Sequence, residues 1–185
     1  MTAAVIAASA SVLAAVLAYI LNQRGQIRQE RRQASLARVS SQVRELYGPL
    51  NAMVDVNERI WERLRESELP PQAERRAQTG RENWKRWRDG ALIPTNRRMR
   101  DLIIENADLL VETEVPQALR DFCAHVTSVE IVLAAEAEGT TEPALIPHPG
   151  AAYVQYVRET FLALKYEQQQ LVRSMSRRAK RVEQR

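Results

Sequence analysis

The chain has 185 residues, 45% of them hydrophobic, 27% charged and 5% aromatic. That length suits one domain of ordinary size with a short additional segment. A single cysteine, Cys123, excludes an internal disulfide framework and suits a reducing compartment. Glycine is scarce and no long stretch alternates with period two, so we expect an all-α fold.

The net charge of +4 is unevenly distributed along the chain. Residues 22–47 carry six arginines against two glutamates, and residues 171–185 carry six basic residues against one glutamate. The segment between them is therefore acidic. Four parts follow from this pattern: an apolar segment (3–21), a basic helical stalk (22–47), a helical bundle (48–170) and a basic tail (171–185).

The apolar segment, AAVIAASASVLAAVLAYIL, holds no charge, proline or glycine. A helix of roughly 20 apolar residues spans the hydrocarbon core of a bilayer, so the segment predicts a single transmembrane helix. A cleaved signal peptide is disfavoured, because no basic residue precedes the run and no A-x-A site follows it. Small residues at Ala7, Ser11 and Ala15 share one stripe, which is typical of helix–helix contacts in lipid.

Arginines directly after the apolar segment predict the orientation, because basic residues accumulate on the cytoplasmic side of membrane helices. We expect a single-pass protein of a bacterial inner membrane, with the N-terminus outside and the helical domain in the cytoplasm. Anionic lipid headgroups attract basic segments near the surface. The residues expected to contact the membrane surface or a partner are Arg24, Arg28, Arg31, Arg32, Arg177, Arg178, Lys180 and Arg181.

A seam of apolar residues with alternating spacings of three and four runs from Leu36 to Leu64, with one polar member, Asn57. Gly48-Pro49 interrupts it, since proline removes a backbone donor and clashes with the preceding turn. We expect a kink or a break there. The seam fits either a coiled coil between copies or the inside of a bundle, and the amphipathic helices that follow favour the bundle.

Prolines and glycines mark the later helix boundaries. Pro70-Pro71 ends the second helix, a third begins near Arg81, and Pro94 kinks or restarts it. Pro116 suits the first position of a fourth helix. Residues 139–149 form a loop, and a last helix runs from about residue 150 into a frayed basic tail. The expected architecture is thus a transmembrane helix continuing into a bundle of four to five helices.

Four stretches together resemble a bacterial family of small all-helical proteins with no known activity. They are LYGPLNAMVDVNERIW (46–61), NRRMRDLIIENADLL (96–110), FCAHVTSVE (122–130) and PHPGAAY (147–153). The resemblance implies a helical domain over about residues 46–170. It carries no catalytic residue with it.

Candidate metal and catalytic groups are sparse. Cys123, His125 and His148 are the only thiol and imidazole groups, and the first two lie about 200° apart on a helix. Zinc needs four convergent ligands, so a structural role is favoured, with His125 paired to Asp121 one turn earlier. No phosphate-binding loop, nucleophile elbow or dinucleotide fingerprint is present. We therefore expect neither a cofactor nor enzymatic activity.

Two groups of side chains could dock a partner. Trp84 and Trp87 are three apart and share a helix face, which suits either a core or interface anchors, the core being favoured. Arg97 and Arg98 belong to a dense basic run that suits an acidic partner, although helix-surface ion pairs explain it equally well.

These observations favour a membrane-tethered adaptor. We expect it to bind protein partners, copies of itself through the anchor and stalk, or a larger membrane complex at the cytoplasmic face. A nucleic-acid-binding protein that uses the basic tail is an alternative, disfavoured by the acidic domain and the lack of a nucleic-acid-binding motif. An enzyme with a site in the bundle is a further alternative.

Overall fold

The computed structural model describes residues 2–66, 78–140 and 144–183, without the side chains of 2–12, 14, 15, 78–81, 83 and 178–183. The regular structure of these residues is entirely helical, which confirms the predicted all-α class but not the transmembrane helix predicted with it. The α-helices are α1 (Thr2–Ser41), α2 (Gly48–Glu66), α3 (Gln78–Trp87), α4 (Ile93–Glu105), α5 (Gln117–Glu138) and α6 (Ala151–Glu183). The prolines at 70 and 71 lie outside the described residues.

Two π-helical turns, Gln42–Tyr47 and Arg88–Leu92, lead directly into α2 and α4. The α-helix after each turn has proline as its second residue, Pro49 in α2 and Pro94 in α4. A proline ring clashes with the carbonyl four residues earlier, and a wider turn moves that carbonyl away. The helical path therefore continues through both prolines without a break, and a π-helical turn accommodates each of them.

Gly48 closes the first π-helical turn by donating its backbone N–H to the Val43 carbonyl oxygen. A Cβ at this position would overlap that same oxygen, and it would lie 3.9 Å from Phe161 Cε2. The φ angle of Gly48 is an ordinary helical −66°. Glycine is therefore required here for space and not for backbone freedom.

The chain divides into two compact units. The larger comprises Ser41–Glu167 and is called the helical module below. Its most deeply buried large side chains are Leu46, Tyr47, Leu50, Val54, Met99, Leu119, Phe122, Tyr153 and Val157. The core of this unit is thus built from α2, α4, α5 and α6 together with the first π-helical turn.

The predicted seam is only partly the buried one. Val39, Leu46, Leu50, Asn57 and Leu64 are buried as expected. Gln42, Tyr47 and Val54 are buried without having been in the seam, whereas Val43 and Met53 are only half-buried. The π-helical turn inserts a residue into the repeat and so rotates the helix face that meets the core.

Polar contacts tie the first π-helical turn to the rest of the helical module. Gln42 Nε2 donates to the Leu109 carbonyl oxygen at 3.0 Å. Tyr47 is fully buried, and its hydroxyl lies 3.0 Å from that of Tyr156, which donates to Glu112 Oε2 at 2.9 Å. Burial raises the pKa of Tyr156 well above its ordinary value, and the bonds to Tyr47 and Glu112 act in the same direction.

The smaller unit comprises Met1–Ser40 and Gln168–Arg185. Within it Gln168 Nε2 donates to Ser40 Oγ at 3.1 Å. Arg24, Arg28, Arg31 and Arg32 are exposed on α1. The C-terminal part of α6 is helical as far as Glu183.

The predicted location in a bacterial inner membrane is wrong. Across the described part of the chain, no helix combines the length and the apolar character that a bilayer crossing requires. The predicted single-pass topology, and the orientation that depended on it, are wrong for the same reason.

Candidate functional site

A cavity with a volume of about 1180 Å³ lies in the helical module. Its wall combines side chains of α2, α3, the second π-helical turn, α4, α5, the loop before α6 and the start of α6. The lining residues are Val54, Asn57, Glu58, Trp61, Arg65, Trp84, Arg88, Leu92, Ile93, Asn96, His125, Val129, Val132, Leu133, Leu145, His148, Gly150, Ala151, Tyr153, Val154, Gln155, Arg158 and Glu159.

Aromatic rings form two parts of this wall. Trp61 on α2 and Trp84 on α3 contact each other, with ring centroids 5.6 Å apart and planes inclined at 40°. Tyr153 on α6 stacks on Phe122 of α5, with centroids 4.0 Å apart and parallel planes. The His148 ring meets Phe122 edge-on at 5.7 Å. Such contacts restrict the ring positions along the cavity wall.

Hydrogen bonds to α5 hold the loop before α6. His125 Nδ1 lies 2.6 Å from the Ile146 carbonyl oxygen. Ser128 Oγ donates to the His125 carbonyl oxygen at 2.8 Å and accepts from the Ile146 N–H at 3.2 Å. The Gly150 N–H donates to His148 Nδ1 at 2.9 Å. His125 therefore anchors this loop and does not form the pair with Asp121 expected from the sequence.

The His148 ring is positioned to stay neutral. Its partial burial lowers its pKa well below the ordinary histidine value, and the charge of the neighbouring His125 acts in the same direction. The two rings meet edge-on with centroids 4.9 Å apart. Within the described residues, no group of three or more His, Cys, Asp or Glu is arranged to hold a metal ion.

An amide pair lies on the cavity wall between α2 and α4. Asn57 Nδ2 donates to Asn96 Oδ1 at 3.1 Å. Asn57 is only 9% exposed, and its Oδ1 atom is buried without a hydrogen-bond partner. An unpaired buried acceptor costs about 1–3 kcal/mol. The cavity wall therefore contains one polar group whose hydrogen-bonding capacity is unused.

The wall carries three arginines, Arg65, Arg88 and Arg158, and two glutamates, Glu58 and Glu159. Arg88 bonds Asp89 at 2.7 Å and Glu136 at 3.0 Å, and these bonds raise its pKa. The bond from Lys85, and then that from Arg88, lowers the pKa of Glu136. Arg158 bonds Asp55 at 2.8 Å. No strong excess of either charge results, which suits a neutral occupant.

The residues predicted to dock a partner are only partly brought together. Trp84 lies on the cavity wall, whereas Trp87 is 43% exposed. Arg97 pairs with Glu130 at 2.8 Å, which makes it a link between α4 and α5. Arg98 is exposed, with Glu105 3.8 Å away. In the smaller unit Arg177 is exposed, and the side chains of Arg178, Lys180 and Arg181 are outside the described set.

Sequence reasoning missed the cavity because its wall comes from distant segments. The sequence marks Asn57 as the polar member of the apolar seam. It shows Asn96 only as the first residue of a stretch that resembles a helical family. Nothing in the sequence pairs these two residues, which are separated by 39 positions.

Comparison of the chain with protein-family models, curated proteins and solved structures found no match. The resemblance to a bacterial helical family therefore stays a prediction.

Proposed function

We propose that the helical module is a binding module that takes up a mainly apolar ligand in its cavity, and that the protein acts by binding rather than by bond-making chemistry. The observation that carries the proposal is the cavity of about 1180 Å³ among its helices. Ligand sites are typically concave, mostly apolar and equipped with a few placed polar groups.

The chemistry of the wall supports binding over catalysis. The nucleophilic groups near the cavity are held in their neutral forms. Burial raises the pKa of the Cys123 thiol, and burial likewise raises the pKa of Tyr153. The Tyr153 hydroxyl contacts Met99 Sδ at 3.4 Å, which is a weak acceptor and no general base.

A matched pair of variants on α5 tests this function in the full-length chain. Leu133 lines the cavity, whereas Ile131 is 55% exposed on another face of the same helix. Binding of indole is measured by ligand-observed NMR. We expect Leu133→Trp to weaken binding, because the larger ring changes the apolar wall and occupies part of the cavity, and Ile131→Trp to leave it unchanged. Absence of indole binding to the wild-type chain would reject the proposal, as would equal binding by both variants.

A second candidate function is an adaptor that binds a protein partner through the exposed face of α3. Trp87 favours it, because exposed tryptophans are common anchors of protein interfaces. The test is chemical cross-linking in cells that express the full chain, with Trp87→Ala compared with Val56→Ala, which is 57% exposed on α2. A partner lost only in Trp87→Ala supports this role, and a pattern unchanged by that variant contradicts it.

A further inference from the structure

The unused acceptor on the cavity wall indicates the chemical class of the ligand. We propose that the cavity selects small, neutral aromatic molecules that donate one N–H or O–H hydrogen bond to Asn57 Oδ1. This inference rests on the proposed binding function and adds to it a recognition element.

Asn57 offers an unused hydrogen-bond acceptor. The Asn57 and Asn96 amides already share one bond of 3.1 Å, which holds the Asn57 side chain between α2 and α4. The Oδ1 atom of Asn57 accepts nothing, although the residue is nine-tenths buried. Because this atom is itself buried, a ligand donor reaches it only when the Asn57 amide turns toward the cavity, and the bond then formed removes an existing penalty. An apolar ligand of the same size leaves the penalty in place.

The aromatic and aliphatic residues of the wall favour a ligand with a ring system. The wall contains Trp61, Trp84 and Tyr153. Trp61 and Trp84 contact each other, and Tyr153 stacks on Phe122. Aromatic rings pack favourably edge-on or offset against such faces. Val129, Val132 and Leu133 complete the apolar surface on α5. The wall therefore suits a ring system better than a polar chain.

The charged side chains of the wall favour a neutral ligand. The guanidinium groups of Arg88 and Arg158 are both paired with carboxylates. The remaining charged wall residues, Glu58, Arg65 and Glu159, are of both signs, so the wall has no strong surplus of one charge with which to pair a charged ligand. Transfer of a charge into apolar surroundings is costly unless the charge is paired. A neutral ligand avoids that cost.

The probes that test this inference are indole and N-methylindole, in which a methyl group replaces the hydrogen-bond donor. Dissociation constants for the full-length wild-type chain are measured by ligand-observed NMR. We expect indole to bind about tenfold more tightly, which corresponds to 1.4 kcal/mol. In NMR spectra of the isotope-labelled chain we also expect indole to shift the Asn57 side-chain amide signal more strongly than N-methylindole does.

The variant Asn57→Leu removes the acceptor and keeps a side chain of similar size. It should bind both probes with affinities within about twofold of each other, because the hydrogen bond that separates them is gone. The wild-type comparison stands on its own if this variant fails to fold.

The outcomes separate the two proposals. If neither probe binds, the binding function itself is rejected. If both bind equally well to the wild-type chain and the binding is weakened in Leu133→Trp but not in Ile131→Trp, the cavity function stands and the role of Asn57 is rejected. If the preference for indole persists in Asn57→Leu, the donor is recognised elsewhere and the inference is overturned.

Discussion

Replacing Gly48 with alanine should destabilise the helical module, although the same change usually stabilises a helix. An added Cβ would overlap the Val43 carbonyl oxygen, which is a backbone atom and cannot swing aside. Helix propensity favours alanine by about 1 kcal/mol. Overpacking costs about 1–3 kcal/mol, and loss of the Gly48 N–H bond to Val43 adds about 1 kcal/mol. The net expectation is a loss of about 1–3 kcal/mol.

The assay is urea denaturation of the full-length chain followed by far-ultraviolet circular dichroism. Gly90 supplies the matched control, because it lies in the second π-helical turn with nothing within 4 Å of an added Cβ. Gly90→Ala should be neutral or stabilising by up to about 1 kcal/mol. A Gly48→Ala chain as stable as the wild type would refute the reasoning, since the π-helical turn would then tolerate a side chain that its geometry excludes.

Three further predictions concern the loop and the helix contacts. Ser128→Ala should cost about 1–2 kcal/mol and accelerate hydrogen exchange of the Ile146 amide, which loses its acceptor; unchanged exchange would contradict this role. Because partial burial lowers the pKa of His148, the unfolded chain binds its proton first, so stability should fall as the pH drops below about 6.5. The variant His148→Leu should flatten that part of the profile, and an unaltered slope would count against it. The bond from Arg100 lowers the pKa of Glu130, so its stabilising contribution should be lost as the pH falls below about 4.5, and Glu130→Gln should remove that loss.

The helical fold and most element positions were accessible from the sequence. Apolar spacing located α2, α5 and α6, and Pro116 directly precedes the first residue of α5. The two π-helical turns were not accessible, because Gly48-Pro49 and Pro94 indicate a disturbance without specifying how it is resolved. Hydropathy alone also suggested a membrane span that the described helices do not provide.

The candidate site was far less predictable than the fold. A single sequence shows which residues are chemically capable but not which of them meet in space. Trp61 and Trp84 come together from two different helices, and the Asn57–Asn96 contact requires both π-helical turns to set the helix faces. Trp84 and Trp87 show the same limit: their spacing predicts one helix face, but Trp84 lines the cavity and Trp87 is exposed. Arg97 likewise pairs with Glu130 on another helix.

The extra residue in each π-helical turn has a consequence for tolerated changes in chain length. Removing one residue from 42–47 would restore ordinary helical winding and turn the rest of α2 by about 100°. Asn57 would then leave the cavity wall, and Pro49 would again press on the carbonyl four residues before it. A single-codon deletion at this point should therefore be far more damaging than a deletion of equal size in the loop before α6.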